Sequence, residues 1–198
     1  MWVTEPQWPL SRHRGEPMRF IGQIQLDRAV FPQTTAQMAY VFMTGRDDER
    51  HVNEATHDPE GGENSVILQP GATEIPTAKL TEGPLLFRRS RDRLQTPCEY
   101  AVSLIEEDDV EFVSEKVRHK MRRDGLPPPR DGMLDENKVG GTPVFLQGDE
   151  FPFDGNCQLL LQLSSEVVPF HVEFGDAGIG YAFLNEAGDK AQFLCQSC

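Results

Sequence analysis

The chain lacks any apolar run near the ~20 residues that cross a bilayer as a helix. Residues 1–10 carry Glu5 and Pro6 and no apolar h-region, so neither a membrane span nor a signal peptide is expected. Cysteine is scarce: Cys98, Cys157, Cys195 and Cys198 are the only four in 198 residues. That is too few for a disulfide scaffold and points to a reducing cytoplasm. Bases are outnumbered, 19 Lys and Arg against 32 Asp and Glu, for a formal net charge of −13. Such a field repels phosphate, and no basic–aromatic interleaving offsets it, so direct nucleic acid binding and anionic membranes are disfavoured. Catalytic signatures are missing too. There is no nucleophile elbow, no P-loop Lys-Ser/Thr and no EF-hand ligand run. No catalytic residue, metal or cofactor is assigned.

What is present is turns and phenylalanine. Fifteen Pro and 17 Gly suit many short strands, and 12 Phe suit a packed core. Residues 20–26 alternate as a strand, and 39–43 and 65–69 read as two more. Residues 44–64 are polar and read as a mobile loop. Residues 72–97 read as a connection with one short strand around Leu85-Leu86-Phe87, and 100–105 as strand or helix start. A helix is expected near 106–124, because Val110, Val113, Val117 and Met121 form one stripe. Acids lead that helix, bases close it, and Gly125 stops it. Strands return at 158–164, 170–174, 181–184 and 191–195.

The two ends of the chain resemble each other. Trp8-Pro9, Gly15, a strand with Gln23, the 39–43 strand and a strand ending at Gln69 recur in order. Their counterparts are Phe151-Pro152, Gly155, a strand with Gln162, the 180–184 strand and a strand ending at Gln196. The expected fold is α+β and β-dominated, with two related antiparallel-sheet halves from an internal duplication. One domain spans 1–198: a first half at about 7–71, a connection with the helix at 72–138, and a second half at 139–198. Gln23 and Gln162, embedded in apolar strands, are each expected to bond a loop backbone.

Several strings resemble the YwqG-like bacterial family. They are Pro17-Met18-Arg19-Phe20-Ile21-Gly22-Gln23-Ile24, Gly140-Gly141-Thr142-Pro143-Val144-Phe145-Leu146-Gln147, Leu159-Leu160-Leu161-Gln162-Leu163 and Gly175-Asp176-Ala177-Gly178-Ile179-Gly180-Tyr181, closed by Phe193-Leu194-Cys195-Gln196. That family is similar to programmed cell death protein 2, which shares a duplicated layout. The resemblance implies an α+β fold with a repeat and no activity, since the domain has no known function. It marks Gln23, Gly141, Pro143, Gln147, Gln162, Gly175, Asp176, Gly178 and Tyr181 as structural or site residues. One departure is that the usual aromatic before the Gln of the Gly-Gly-Pro string is shifted, giving Phe145-Leu146-Gln147. Some members neighbour polymorphic toxins, which implies an immunity or antitoxin-like role.

Other constellations have structural explanations. The Gly-Asp-Ala-Gly string reads as a tight Asx turn. Cys195 and Cys198 are half of a zinc knuckle, but Cys195 ends a buried strand. His51 and His57 lie in the acidic loop, and His171 with Glu173 reads as a polar outer face. Trp2 and Trp8 are expected to cap the first sheet, the alternative being an exposed aromatic anchor. The leading expectation is a non-enzymatic, cytoplasmic, acidic protein-binding module of immunity type that engages a basic partner, toxin or ribosomal in type. Its contacts are Asp47, Asp48, Glu49, Glu54, Asp58 and Glu60, with Glu106, Glu107, Asp108 and Asp109 as a second patch. The alternatives are a small-ligand or hydrolytic enzyme with a pocket between the repeats, and a chaperone-like adaptor.

Overall fold

The computed structural model describes residues 7–45, 54–70, 76–79, 83–89, 96–127 and 136–198. In chain order the elements are β1 (Gln7–Pro9), β2 (Arg19–Gln25), β3 (Met38–Met43), β4 (Asn64–Gln69), β5 (Thr77–Lys79), β6 (Phe87–Arg88), α1 (Glu115–Arg123), β7 (Lys138–Val139), β8 (Cys157–Ser164), β9 (Phe170–His171), β10 (Ile179–Asn185) and β11 (Ala191–Gln196). They form four antiparallel sheets, ordered β2-β3-β4, β11-β10-β8-β7, β1-β5 and β6-β9. The fold is therefore β-dominated, with one α-helix among the described residues.

The central strands β3 and β10 are nearly continuous apolar runs because they are covered on both faces. One face of each larger sheet enters a shared core. Ile24, Val41, Val66 and Leu68 meet Leu160, Ala182, Leu184 and Phe193 there, and β4 lies against β11. The opposite faces have separate covers. Trp8 and Met18 lie on Tyr40, Phe42 and Ile67, whereas Phe145 lies on Tyr181, Phe183 and Leu194. Trp8 thus caps the first sheet, edge-on to Phe42, and its indole N–H donates to the Met18 carbonyl. Trp2 lies outside the described residues.

The two larger sheets share a register. Tyr40 stands opposite Gln23 and Ile67, as Tyr181 stands opposite Gln162 and Leu194. Met38 faces Gln25 and Gln69, as Ile179 faces Ser164 and Gln196. A bulge leaves Ile21 unpaired against β3, and another leaves Leu160 unpaired against β10, at the matching step of each ladder. Both bulged residues are buried.

Three expectations need correction. The helix begins at Glu115, not near 106, and residues 101–114 hold no regular structure. Tertiary contacts override the apolar stripe. Asp109 bonds Thr142 N, Thr142 Oγ1 donates to the Val110 carbonyl, and Phe112 packs edge-on to Phe145 and Phe151. The helix N-terminus is capped by Asp149, whose carboxylate accepts the Glu115 N–H at 2.7 Å and Arg118 at 3.0 Å. Its C-terminus ends as expected. Gly125 has φ +72, and Leu126 N reaches the Met121 carbonyl.

The second correction concerns the loop at 44–64. Its described part, 54–63, is a packed turn in which Asn64 Nδ2 donates to the Thr56 carbonyl and Glu63 is fully buried. The third is Gln23. It is exposed, and bonds no loop backbone among the described residues.

Phe193 and Gln23 mark the two extremes of these sheets. Phe193→Ala opens a cavity in the shared core and is expected to cost about 3–5 kcal/mol in urea unfolding. Gln23→Ala is expected to change stability by no more than about 0.5 kcal/mol.

Candidate functional site

Among the strings that mark candidate residues, those of the second half converge on one loop. Gln162 is fully buried on β8. Its amide oxygen accepts Val144 N at 3.0 Å and its Nε2 donates to the Glu136 carbonyl at 3.1 Å. Tyr181 donates its hydroxyl proton to the Val144 carbonyl at 2.9 Å and accepts Leu146 N at 3.1 Å. Gln196, at the end of β11, accepts Leu146 N and Gln147 N at 3.0 and 3.1 Å. Its Nε2 donates to the Gly148 carbonyl and to Glu150. Gln147 in turn donates to the Ser197 carbonyl. Burial, with the Glu150 charge adding to it and the Leu146 N–H opposing it, keeps the Tyr181 phenol neutral well above the usual range.

The preceding glycines set the approach of that loop. Gly140 and Gly141 have φ +73 and +76, conformations that favour glycine. A Cβ on Gly141 would also collide with the Asp109 carboxylate. Asp109 accepts Thr142 N at 2.6 Å and Lys138 at 3.1 Å. Burial pushes its carboxyl pKa up, but the Thr142 N–H and the Lys138 ammonium together hold it below the ordinary value. Pro143 is buried within the same turn.

The Gly-Asp-Ala-Gly turn packs against the last residues of the chain. Gly175 has φ +97, and a Cβ there would strike Ser197. Gly178 has Phe174 backbone at the same closeness. The side chain that bonds the turn is Glu173, which accepts Gly175 N at 3.1 Å, rather than Asp176. Asp176 is exposed, and its carbonyl accepts Cys198 N. His171 is half-buried on β9, opposite Phe87.

Cys195 is buried, with Sγ 3.9 Å from Met43 Sδ, and burial pushes its thiol far up. Burial alone pushes Cys157 up to about 11. Neither is a thiolate near neutral pH. Among the described residues no group of three or more His, Cys, Asp or Glu side chains stands together as a metal set. His57 is half-buried, not loop-solvated, and its Nδ1 meets the Cys195 carbonyl at 2.9 Å. A carbonyl only accepts, so Nδ1 carries the proton. His51 lies outside the described residues.

The acidic candidates scatter by role. Asp47, Asp48 and Glu49 lie outside the described residues, as does the side chain of Glu54. Asp58 is exposed and accepts Glu60 N, while the carbonyl of exposed Glu60 accepts Arg12. Glu106, Glu107 and Asp108 are exposed on a segment without regular structure, but Asp109 is committed to Thr142 and Lys138. The acid that sequence reasoning missed is Glu63. Fully buried, it accepts Ser11 Oγ and Thr44 Oγ1 at 2.7 Å and His13 N at 2.9 Å. Burial alone would raise its pKa, but these donors lower it below the usual value. Gly61 and Gly62, just before it, have no room for a Cβ, which would strike Ala55 or Arg12.

Fold and site thus define an antiparallel-sheet protein whose buried Gln and Tyr side chains hold a glycine-entered loop. The family described as a domain of unknown function, DUF1963, matches residues 1–192, and the chain belongs to that family. Among curated proteins nothing matches the chain. No helix among the described residues is long and apolar enough to cross a membrane.

Gln196→Ala orphans the Gln147 N–H and leaves Leu146 N with the Tyr181 hydroxyl alone, and is expected to cost about 1–3 kcal/mol, read by urea unfolding. The carboxylates supply a pH test. Asp109 is depressed, so its stabilisation is complete above the unfolded carboxyl pKa of about 4 and is lost as pH falls through the folded value. The stability gap between wild type and Asp109→Asn is expected to be constant from about pH 5 to 8 and to close below about pH 4.

Proposed function

We propose that the protein is a non-enzymatic binding module of immunity or antitoxin type, acting in the cytoplasm, that engages a basic protein through its acidic surface. The observation that carries this reading is the run Glu106, Glu107 and Asp108. All three are exposed and have no ion-pair partner among the described residues. They sit on a chain with a formal net charge of −13, which accelerates encounter with a cation. Asp58 and Glu60 add exposed acid elsewhere. The use made of the motif residues also supports it. Gln162, Tyr181 and Gln196 spend their polar groups on the 144–148 backbone, the Glu136 carbonyl and Glu150 rather than on a solvent-facing centre.

A finer kinship belongs to the same proposal. The matched Gln–Tyr–aliphatic registers and the matched bulges at Ile21 and Leu160 support descent of the two sheets from one duplicated unit. The YwqG-like strings support placement beside that family and, more remotely, programmed cell death protein 2.

Affinity capture from the native lysate tests the partner reading. Wild type is expected to retain a basic protein at about 0.05 M salt and release it by about 0.5 M. The variant Glu106→Lys/Glu107→Lys/Asp108→Lys is expected to associate at least about tenfold more slowly. A spread of ribosomal proteins would favour the adaptor role. Equal capture by both proteins, or capture of acidic proteins only, would sink the reading.

A further inference from the structure

The two larger sheets share a register but differ at one edge. β8 carries β7 on its outer side, with Lys138 opposite Gln162 and Val139 opposite Leu161. Gly140 N extends that pairing to the Leu160 carbonyl, and Ser164 N extends it to Asn137 Oδ1. Gln162 adds its side chain, whose Nε2 donates to the Glu136 carbonyl of the same segment. On the first sheet the counterparts of Leu160, Leu161, Gln162 and Ser164 are Ile21, Gly22, Gln23 and Gln25. β2 is the edge of that sheet, and outside β3 none of these four forms a hydrogen bond among the described residues. Leu26 N donates to the Gln37 carbonyl, so alternation along the strand turns the N–H and C=O groups of Gln23 and Gln25 away from β3. The Gln23 side chain is exposed beside them.

A bulge is one device that keeps an edge strand from pairing, and β2 has one at Ile21. The matching bulge at Leu160 does not keep β7 off β8, so this device alone does not close the edge. There is also room. Gly22 stands opposite Val41, and a Cβ built on it meets nothing within 4 Å, at the position where the second sheet has Leu161 paired with Val139. β7 shows the chemistry such an edge takes: a Lys opposite the glutamine and a β-branched residue next to it. The formal net charge of −13 favours the same cationic strand. We propose that the outer edge of β2 is a docking site for an antiparallel strand of alternating Lys and β-branched residues, supplied by a basic protein partner. Gln23 clamps its backbone as Gln162 clamps the segment that carries β7. The cationic half of this proposal rests on the basic-partner reading, and the open edge does not.

The test is an NMR titration of the full chain with the capped peptide Lys-Val-Lys-Val-Lys-Val. The peptide is expected to bind with a Kd of about 1 mM or tighter, with the largest amide shifts at residues 20–26. The same peptide methylated on every backbone nitrogen keeps its charges and side chains but has no backbone donors, and it is expected to leave those amides unshifted. Gln23→Ala, at an exposed position that leaves the fold intact, is expected to weaken binding at least about fivefold. No shifts up to about 5 mM peptide, shifts centred elsewhere, equal binding of the methylated peptide or equal binding by Gln23→Ala would each overturn the proposal. Failure of this titration leaves capture of a basic protein through Glu106 to Asp108 standing. Failure of that capture leaves binding at β2 standing, because the titration uses a defined peptide and reads residues 20–26 directly.

Discussion

Three buried polar side chains govern the second half of this structure. Gln162, Tyr181 and Gln196 project from adjacent strands, and each carries polar groups that burial strips of water. Left unpaired, such groups would cost several kcal/mol between them. Most of their bonds go to one segment, the backbone of residues 144–148, with the Glu136 carbonyl and the Glu150 carboxylate taking the rest. The same segment brings Phe145 onto Tyr181 and Phe183, with ring centroids 5.2 and 6.1 Å apart. Polar satisfaction and apolar cover therefore arrive together, and neither is complete without the other. The Gly140-Gly141 turn and the Asp109 carboxylate follow from the need to deliver that segment.

The first sheet meets the same requirement differently. Its Tyr40 hydroxyl donates to the Gln69 amide oxygen at 3.0 Å, two residues whose counterparts are Tyr181 and Gln196. Its cover is Trp8 with Met18. A buried charge, Glu63, ties the turn between β1 and β2 and the end of β3 to the turn before β4, where it holds two hydroxyls and an N–H. Carboxylates bonded this well are depressed in pKa and rigid, and they do structural work rather than proton transfer near neutrality.

Much of this was legible in the sequence because it is local. The strands announced themselves as alternating or continuous apolar runs, and Gly125 marked the end of α1. The embedded glutamines stood out because an amide inside an apolar strand demands partners. For Gln162 that reasoning held. For Gln23 it failed, because matching positions in two similar strands need not be equally buried, and Gln23 lies on an exposed face. The helix was drawn too long because a stripe of Val110, Val113, Val117 and Met121 is necessary for a helix, not sufficient. Asp109 meets Thr142 across 33 positions, a contact no local pattern encodes. Glu63 was invisible for the same reason, since Ser11 lies 52 positions away. The acidic runs were legible in the sequence but not their use, and the structure separates exposed Glu106 to Asp108 from committed Asp109.

The claim that the 144–148 segment is part of the folded core, rather than a loop laid over it, is tested most directly by amide hydrogen exchange followed by NMR. Val144, Leu146 and Gln147 donate their N–H groups to Gln162, Tyr181 and Gln196. The account predicts that these three amides exchange with the same opening free energy as the central strand β10, that of global unfolding. Exchange at the rate of an unstructured loop, while β10 stays protected, would contradict it.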